Sequence, residues 1–450
     1  MSPTDTLPAT VGARLYRIEG GRPLIGEVTA AGAKNAITKQ LVASLLTDEP
    51  CVFRNVPRIA EIDVVLSMLT ELGATATWLS DNSLRIETDQ LRSNHVNPRF
   101  YGVNRIPVLT IGPLVHRTGR AVVPAAGGCQ IGSRPIDFHI AALIAMGAKI
   151  DSTDREIAAR AAARLHGTTV ELPYPSVGAT ENTLLAAVLA TGTTVIDNAA
   201  TEPEIIDTIM LLQKMGALIS LDRDRRIIVE GVERLRGAEH NVIPDRIEAA
   251  SYALAGIASG GRVTVRNARQ EHLLSFLSVI RKLGGGFRVE PDGITFFRQG
   301  EGLRPIHVET DVHPGFMTDW QQPLVATLTQ ADGISVVHET VFDDRFTYTA
   351  DLRAMGAKID VSSACLGSKR CGFRGRNHLH SCLVSGPARL RGARVQARDL
   401  RGGIASVLAA LLAEGVSEIR QVERIERGYS RLPEQLAGLG AAIRVERATV

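Results

Sequence analysis

Aromatic residues are scarce in this 450-residue chain, at 4%, and they are scattered. That leaves too few flat side chains for a base-stacking platform. Charge of one sign is also missing: 51 Lys and Arg against 48 Asp and Glu give a formal net charge of +3. So small an excess, spread along the chain, gives no argument for a polymeric polyanion as partner, and no nucleic-acid partner is expected. No run approaches the ~20 apolar residues that a membrane span needs, so no membrane partner is expected. The opening stretch MSPTDTLPATVGARLYRIEG has no apolar core of signal-peptide type. Cysteine is rare, five in all and odd in number, which excludes a secreted disulfide framework. The expected setting is the cytoplasm, with reduced thiols.

What the chain does have is a globular balance, 44% hydrophobic and 22% charged. Its length suits two or three domains of about 100–200 residues. It also has a repeat. LTELGATATWL (69–79), IAMGAKID (144–151), LQKMGALISLD (212–222), IRKLGGGFRVE (280–290), LRAMGAKIDVS (352–362) and LAGLGAAIRVE (436–446) share one grammar. A helical apolar pattern ends, a glycine follows, and an alternating strand begins. Glycine at a helix C-terminus takes the left-handed conformation that closes the helix, and the apolar period then changes from 3.6 to 2. The markers Gly73, Gly147, Gly216, Gly284, Gly356 and Gly440 are spaced 74, 69, 68, 72 and 84 residues apart. Six mixed α/β units of roughly 70 residues are therefore expected. They exceed the ~20–50 residues of solenoid repeats and suit closed domains of three units apiece. The strand-rich segments LLTDEPCVFRNVP, VLATGTTVIDNAA, GIASGGRVTVRNA and LLAEGVSEIRQVE recur between them.

The long last spacing holds SSACLGSKRCGFRGRNHLHSCLVSGP (362–387), with Cys365, Cys371, His378, His380 and Cys382. These spacings match no standard C-x₂₋₄-C ligand pair. The stretch is read as a solvated, partly ordered loop, and no metal site is expected.

Four other places put reactive or ionic residues beside glycine or proline. In AAGAKNAITKQLVASLL (30–46), Lys34 and Asn35 open an apolar helix, and a lysine there is misplaced unless an anion shares the site. In AAGGCQIGSRPIDFH (125–139), Cys129 follows two glycines that free the backbone, and Arg134 favours a reactive thiolate. By contrast, Cys51 in EPCVFRNVP reads as a strand-core residue. Asp319 precedes an apolar helix, where it serves as a cap or as a general base. Arg105, Arg345, Arg401 and Arg427 lie in turn-like contexts, from which guanidinium forks from distant units can converge on one small polyanion.

Together these features resemble the enolpyruvyl transferases, specifically the branch acting on UDP-N-acetylglucosamine. GAKNA, NVP, GPLV, GGCxIGxRPxDxH, SVGAT, NAAxEPEIxDT, PDRIE, HPxFxTD, ETVFxxRF, DLR and RGY occur in the family's order over nearly the whole chain. The shikimate-phosphate branch lacks the cysteine loop.

The resemblance implies an α/β fold: a two-domain inside-out α/β barrel of six βαβαββ units, pseudo-threefold in each domain. One domain would span 34–243 and the other 1–33 plus 244–450. It implies no cofactor and two small-molecule substrates, phosphoenolpyruvate and a uridine nucleotide sugar, in the first committed step of peptidoglycan synthesis. Cys129 would be the acid, on a loop that closes as a lid, and Asp319 the base. Lys34, Arg134 and Arg427 would hold the donor phosphate. Arg345 and Arg401 would contact its carboxylate and follow closure, supported by Asp399. Arg134, Pro135, Ile136, Asp137, Phe138, Ser176 and Val177 would meet the uridine and diphosphate, with Tyr174 beside them; Asn35, Arg105, Asp319 and Val341 would meet the sugar. Tyr174 stands where well-known members carry a basic residue, Leu109 where they carry tryptophan, and compact members lack 362–387. Transfer to another uridine nucleotide such as UMP stays open as an alternative acceptor chemistry, and a catalytically silent nucleotide-sugar sensor as a different class. The residues give no oligomeric state.

Overall fold

The computed structural model describes residues 14–125, 136–369 and 371–447. They fall into two compact units, one within residues 32–243 and the other combining residues up to 31 with those from 244 onward. Each unit builds its own hydrophobic core.

The first unit holds three sheets. In one, Glu239–Asn241 runs parallel to Cys51–Arg54, which pairs antiparallel with Leu84–Glu87, itself antiparallel to Thr75–Trp78. Thr169–Glu171, Thr193–Asp197, Arg226–Glu230 and Leu218–Asp222 repeat that wiring. In the third, Arg120–Pro124, Glu156–Arg160 and Lys149–Ser152 form the antiparallel part, and a parallel bridge from His95 to Val122 stands for the fourth strand.

The second unit uses the same wiring three times. Ile25–Thr29 is parallel to Arg262–Arg266, followed by Gly293–Arg298 and Gly285–Glu290. His307–Glu309 is parallel to Gly333–His338, followed by Ser381–Gly386 and Lys358–Ser362. Arg394–Gln396 is parallel to Val416–Arg420, which pairs with Arg14–Glu19, which pairs with Ala442–Arg447. An early strand thus occupies the third position of the last sheet.

Alternation along these strands turns one face inward. In Arg262–Arg266 only Val263 and Val265 are fully buried, and they register against Phe296 and Ile294. What they cover is helix. Arg246–Ala258 and Gln321–Leu328 are buried on every side, as is Leu400–Leu412 except at its last residue. A helix with no solvent face must be small or apolar all round, and ASYALAGIA fits this. Gly112 is required by the same closeness, since a Cβ there would lie 3.0 Å from Ala186 Cα. Helices inside and sheets outside, with three sheets per unit among the described residues, are the inverse of a barrel whose sheet forms the core.

All six marker glycines have positive φ, from 93° to 119°, so the repeat grammar is a backbone fact. The strand ends carry a second left-handed set at Asn55, Asn198, Asn267 and Gln421. Cys51 is buried as expected, and burial pushes its thiol up to about 11.

A test separates conformation from crowding at the marker positions. Gly216 has φ 102° and open space where a Cβ would go. Gly216→Ala is expected to lower stability by about 1–2 kcal/mol through backbone strain alone. Gly216→Asn should cost less, because asparagine tolerates this region. Urea unfolding of both variants measures it; an alanine variant as stable as the parent would contradict the assignment.

Candidate functional site

Asp319 lies in the single turn Thr318–Trp320 that leads into helix Gln321–Leu328. That helix begins at Trp320 with no side-chain cap, so Asp319 does not serve as a cap. Its carboxylate instead takes two guanidiniums: Arg345 Nη2 donates to Oδ1, and Arg401 Nε donates to Oδ2 at 3.3 Å. A carboxylate accepts at about four lone-pair sites, so one carboxylate can hold both guanidiniums at once. The cap role belongs to Asp399, whose Oδ1 accepts from the N–H groups of Arg401 (2.8 Å) and Gly402 (3.1 Å) at the start of Leu400–Leu412. Asp399 thereby fixes the turn that presents Arg401.

Arg401 is 4% exposed. Burial opposes its charge, but Asp319, Tyr429 and Asp245 outweigh burial and hold the guanidinium protonated. Its buried Nη1 has no hydrogen-bond partner among the described residues. Arg345 follows strand Gly333–His338 and is equally buried; Gln322, with its amide oxygen turned toward it, accepts from Nε at 2.6 Å.

Several residues that organise this cluster were not singled out by sequence reasoning. Glu339 is fully buried and accepts from Thr318 Oγ1, Gln321 Nε2 (both 2.9 Å) and the N–H groups of Val341 (2.8 Å) and Phe342 (3.1 Å). It fastens the Asp319 turn to the loop bearing Val341 and Arg345. Burial raises its pKa, against the pull of Arg345. Tyr429, two residues beyond Arg427, places its hydroxyl 2.8 Å from Ser251 Oγ and its ring 5.7 Å from the Arg401 Cζ. Asp245 caps helix Arg246–Ala258, and Glu248 accepts from the Ala31 N–H at 2.8 Å. Burial, then Asp245, lifts the Glu248 carboxyl from its ordinary 4.5 to about 8, with Arg401 opposing. The fragment PDRIE was visible; the burial that raises the pKa of its glutamate was not.

In the first unit Lys34 opens helix Lys34–Ala43, where no side chain caps the N-terminus. Its Nζ lies 3.8 Å from the buried Glu61 carboxylate, which offsets the charge misplaced at that helix end. Asn35 is the next residue, and its carbonyl accepts from Lys39 Nζ at 2.7 Å. Behind them Lys39 faces Glu181 at 3.5 Å, and burial pushes Glu181 up to about 7. Gly32 allows the entry, since a Cβ there would meet the Asn55 carbonyl at 1.8 Å. Arg105 precedes the short helix Ile106–Leu109, which packs on both Lys34–Ala43 and Val177–Ala187. Ser176 caps Val177–Ala187, its Oγ accepting from Ala179 N at 3.3 Å. That helix touches Asp137–Ala145 where Gly178 meets the His139 ring. The unit thus carries Lys34, Asn35, Arg105, Ile136, Asp137, Phe138, Ser176 and Val177 at the starts of mutually packed helices. Tyr174 is 38% exposed on the loop before Ser176, and Leu109 is buried. Cys129, Arg134 and Pro135 lie outside the described residues.

Glu248 gives a pH prediction whose sign follows from its raised pKa. The folded state keeps a proton that the unfolded chain releases near 4.5. The stabilisation is therefore present below that pH and lost as pH rises through about 8. Glu248→Gln retains an acceptor for Ala31 N–H, and should flatten the fall in urea stability between about pH 5 and 8. Equal slopes in parent and variant would contradict the buried proton.

Comparison with known proteins agrees with this architecture. The family model for EPSP synthase (3-phosphoshikimate 1-carboxyvinyltransferase) matches residues 18–436. The UDP-N-acetylglucosamine 1-carboxyvinyltransferase of Protochlamydia amoebophila (strain UWE25) is 50% identical over 435 residues, covering 95% of this chain and 94% of that protein. UDP-N-acetylglucosamine 1-carboxyvinyltransferase 1 of Staphylococcus aureus (strain N315) is 40% identical over 428 residues, covering 95% and 98%. Among solved structures, the enolpyruvyl transferase NikO from Streptomyces tendae superposes with a TM-score of 0.85 at 23% identity, covering 97% of this chain and all of that one, which shows the fold. Matched along nearly its full length by model and relatives alike, the chain belongs to the EPSP synthase family of carboxyvinyl transferases.

Proposed function

We propose that this protein transfers the enolpyruvyl group of phosphoenolpyruvate to the 3-hydroxyl of UDP-N-acetylglucosamine and releases phosphate. This is the first committed step of peptidoglycan synthesis. The observation that carries it is identity of 40–50%, over about 95% of the chain, to proteins bearing that name. The reaction is cytoplasmic, where both substrates are made; no helix among the described residues is long and apolar enough to cross a membrane.

The chemistry needs a proton delivered to the donor methylene while the acceptor oxygen attacks the adjacent carbon. Cys129 is the acid, and a thiol can also add to that carbon itself. Asp319, its carboxylate oriented by two guanidiniums, takes the acceptor's hydroxyl proton. The C–O bond forms, giving a tetrahedral intermediate. Loss of a proton from the new methyl group and cleavage of the bond to phosphate then restore the enol ether. Lys34, Arg134 and Arg427 hold the phosphate, and Arg345 and Arg401 the donor carboxylate, so fixed cations face the charge that grows in the transition state. The partnerless Nη1 of Arg401 is a donor in place before any ligand arrives. Ser176, Val177 and residues 134–138 hold the uridine and diphosphate, beside Tyr174; Asn35, Arg105 and Val341 meet the sugar.

Phosphate release from phosphoenolpyruvate, measured with UDP-N-acetylglucosamine and then with UMP, tests the acceptor. Turnover is expected with the first alone; turnover with UMP alone, or with neither, overturns the proposal. Cys129→Ala should slow release at least about 100-fold and abolish inactivation by epoxide phosphonates of the fosfomycin type. An unimpaired variant would refute the role given to the thiol.

A further inference from the structure

The stretch 362–387, read as a solvated, partly ordered loop, has side chains that gather at one place. The structure takes Cys365, Cys371 and His380 from it and adds His338, the last residue of strand Gly333–His338. One donor atom from each of the four lies within 4.8 Å of the others. Cys382 points instead into the hydrophobic core, and His378 contributes only its carbonyl.

Hydrogen bonds fix both imidazoles. Ser381 Oγ donates its single proton to the Ala364 carbonyl at 2.6 Å, so toward His338 Nδ1, 2.9 Å away, it accepts. His338 therefore carries its proton on Nδ1, and its bare Nε2 faces Cys365 Sγ at 3.6 Å. His380 Nδ1 lies 2.7 Å from the His378 carbonyl, which can only accept, so this ring too is protonated on Nδ1. The bare Nε2 of His380 is buried and has no hydrogen-bond partner among the described residues. An unpartnered buried acceptor is costly, and His380 shares its cluster with two thiols and a second imidazole. Ring nitrogens oriented through the opposite N–H are the usual support of metal-binding histidines.

The dimensions agree. Tetrahedral zinc at ~2.3 Å from sulfur and ~2.0–2.1 Å from nitrogen places those two ligands ~3.6 Å apart, which is the Cys365–His338 distance. The ideal edges run from ~3.3 Å between two nitrogens to ~3.8 Å between two sulfurs, so from within 4.8 Å binding draws the set in by at most about 1.5 Å. The chain is also shaped to bring the cysteines over the strand. A Cβ on Gly367 would lie 2.2 Å from His338 Cδ2, and Glu309 accepts from Ser368 N (2.8 Å), Ser368 Oγ (2.8 Å) and Lys369 N (2.9 Å).

We propose that His338, Cys365, Cys371 and His380 form a closed structural Zn²⁺ site that fastens residues 363–380 onto the edge of their sheet. Two thiols release their protons to solvent on binding, and two thiolates with two neutral imidazoles balance the ion's charge. A tetrahedral S₂N₂ donor set suits zinc, and four protein ligands leave no open position for a substrate.

The full chain, purified without a histidine tag from zinc-supplemented cells, is expected to hold about one zinc per chain by elemental mass spectrometry. Cys371→Ser and His380→Ala should each lower that at least tenfold, while His378→Ala, which keeps the carbonyl, should retain it. Cobalt exchanged into the parent should give the thiolate charge-transfer and intense visible bands of a tetrahedral S₂N₂ complex. These readouts on the parent decide the matter even where a variant fails to fold. Parent protein without stoichiometric metal, a Cys365–Cys371 disulfide in its place, or zinc retained by both ligand variants would overturn the proposal.

Discussion

Burying helices on every side is the constraint from which the rest follows. Inside their sheets, Arg246–Ala258, Gln321–Leu328 and Leu400–Leu412 have no solvent face, so only their ends can present polar groups. The first N–H groups of a helix have no partner within it, and in a buried helix water is a poor substitute. The chain answers with Asp245, Asp399 and Ser176, each capping a helix start. The residues assigned to chemistry cluster at the same ends: Lys34, Arg105, Asp137, Ser176, Asp319 and Arg401 all lie within a turn of a helix N-terminus. Structure and chemistry use the same positions, because a rigid buried helix is the most precise support the fold offers.

Asp319, Arg345 and Arg401 form a buried ion cluster that local stability does not account for. Removing three charges from water is expensive, and their mutual attraction does not reliably repay it. An apolar trio would pack there at less cost. The ions persist in a network that includes Glu339 and Gln322, so each has a fixed orientation. Loss of any one would leave a buried partner unsatisfied, which is the most damaging kind of substitution at such a place. Cations already desolvated and aimed are what the binding of an anionic ligand would require.

How much of this was legible in the sequence depended on the range of the interaction. The six left-handed glycines were readable, because a helix stop is decided within a few residues. Lys34 at a helix start was readable for the same reason. Asp319 was not: whether it caps a helix or binds arginines depends on Arg401, 82 residues onward. Glu339 and Glu248 look like ordinary strand-end and first-turn acids until distant chain buries them. The proposed metal-ligand set has no local spacing to betray it: His338 lies 27 residues before Cys365 and is brought to it by the fold of its sheet. The left-handed Asn55, Asn198 and Asn267 were written in the repeated strand segments, yet their backbone meaning emerges only beside one another.

The same pairing explains how an insertion could enter without disturbing the repeat. Residues 363–380 leave and rejoin the sheet at Ser362 and Ser381, which are directly opposite each other in the antiparallel ladder. The ladder has already closed the loop, so added length costs only slowly growing entropy. Closure alone does not order the segment, however. SSACLGSKRCGFRGRNHLH has few apolar residues to bury, and a piece of this size cannot stabilise itself through a core. Small segments in that position are ordered by cross-links or metals, and the two cysteines and one histidine of this one converge on a histidine of the sheet beneath. Because the next residue after His338 is Glu339, whatever fixes the insertion also fixes the strand end from which the Asp319 cluster is held.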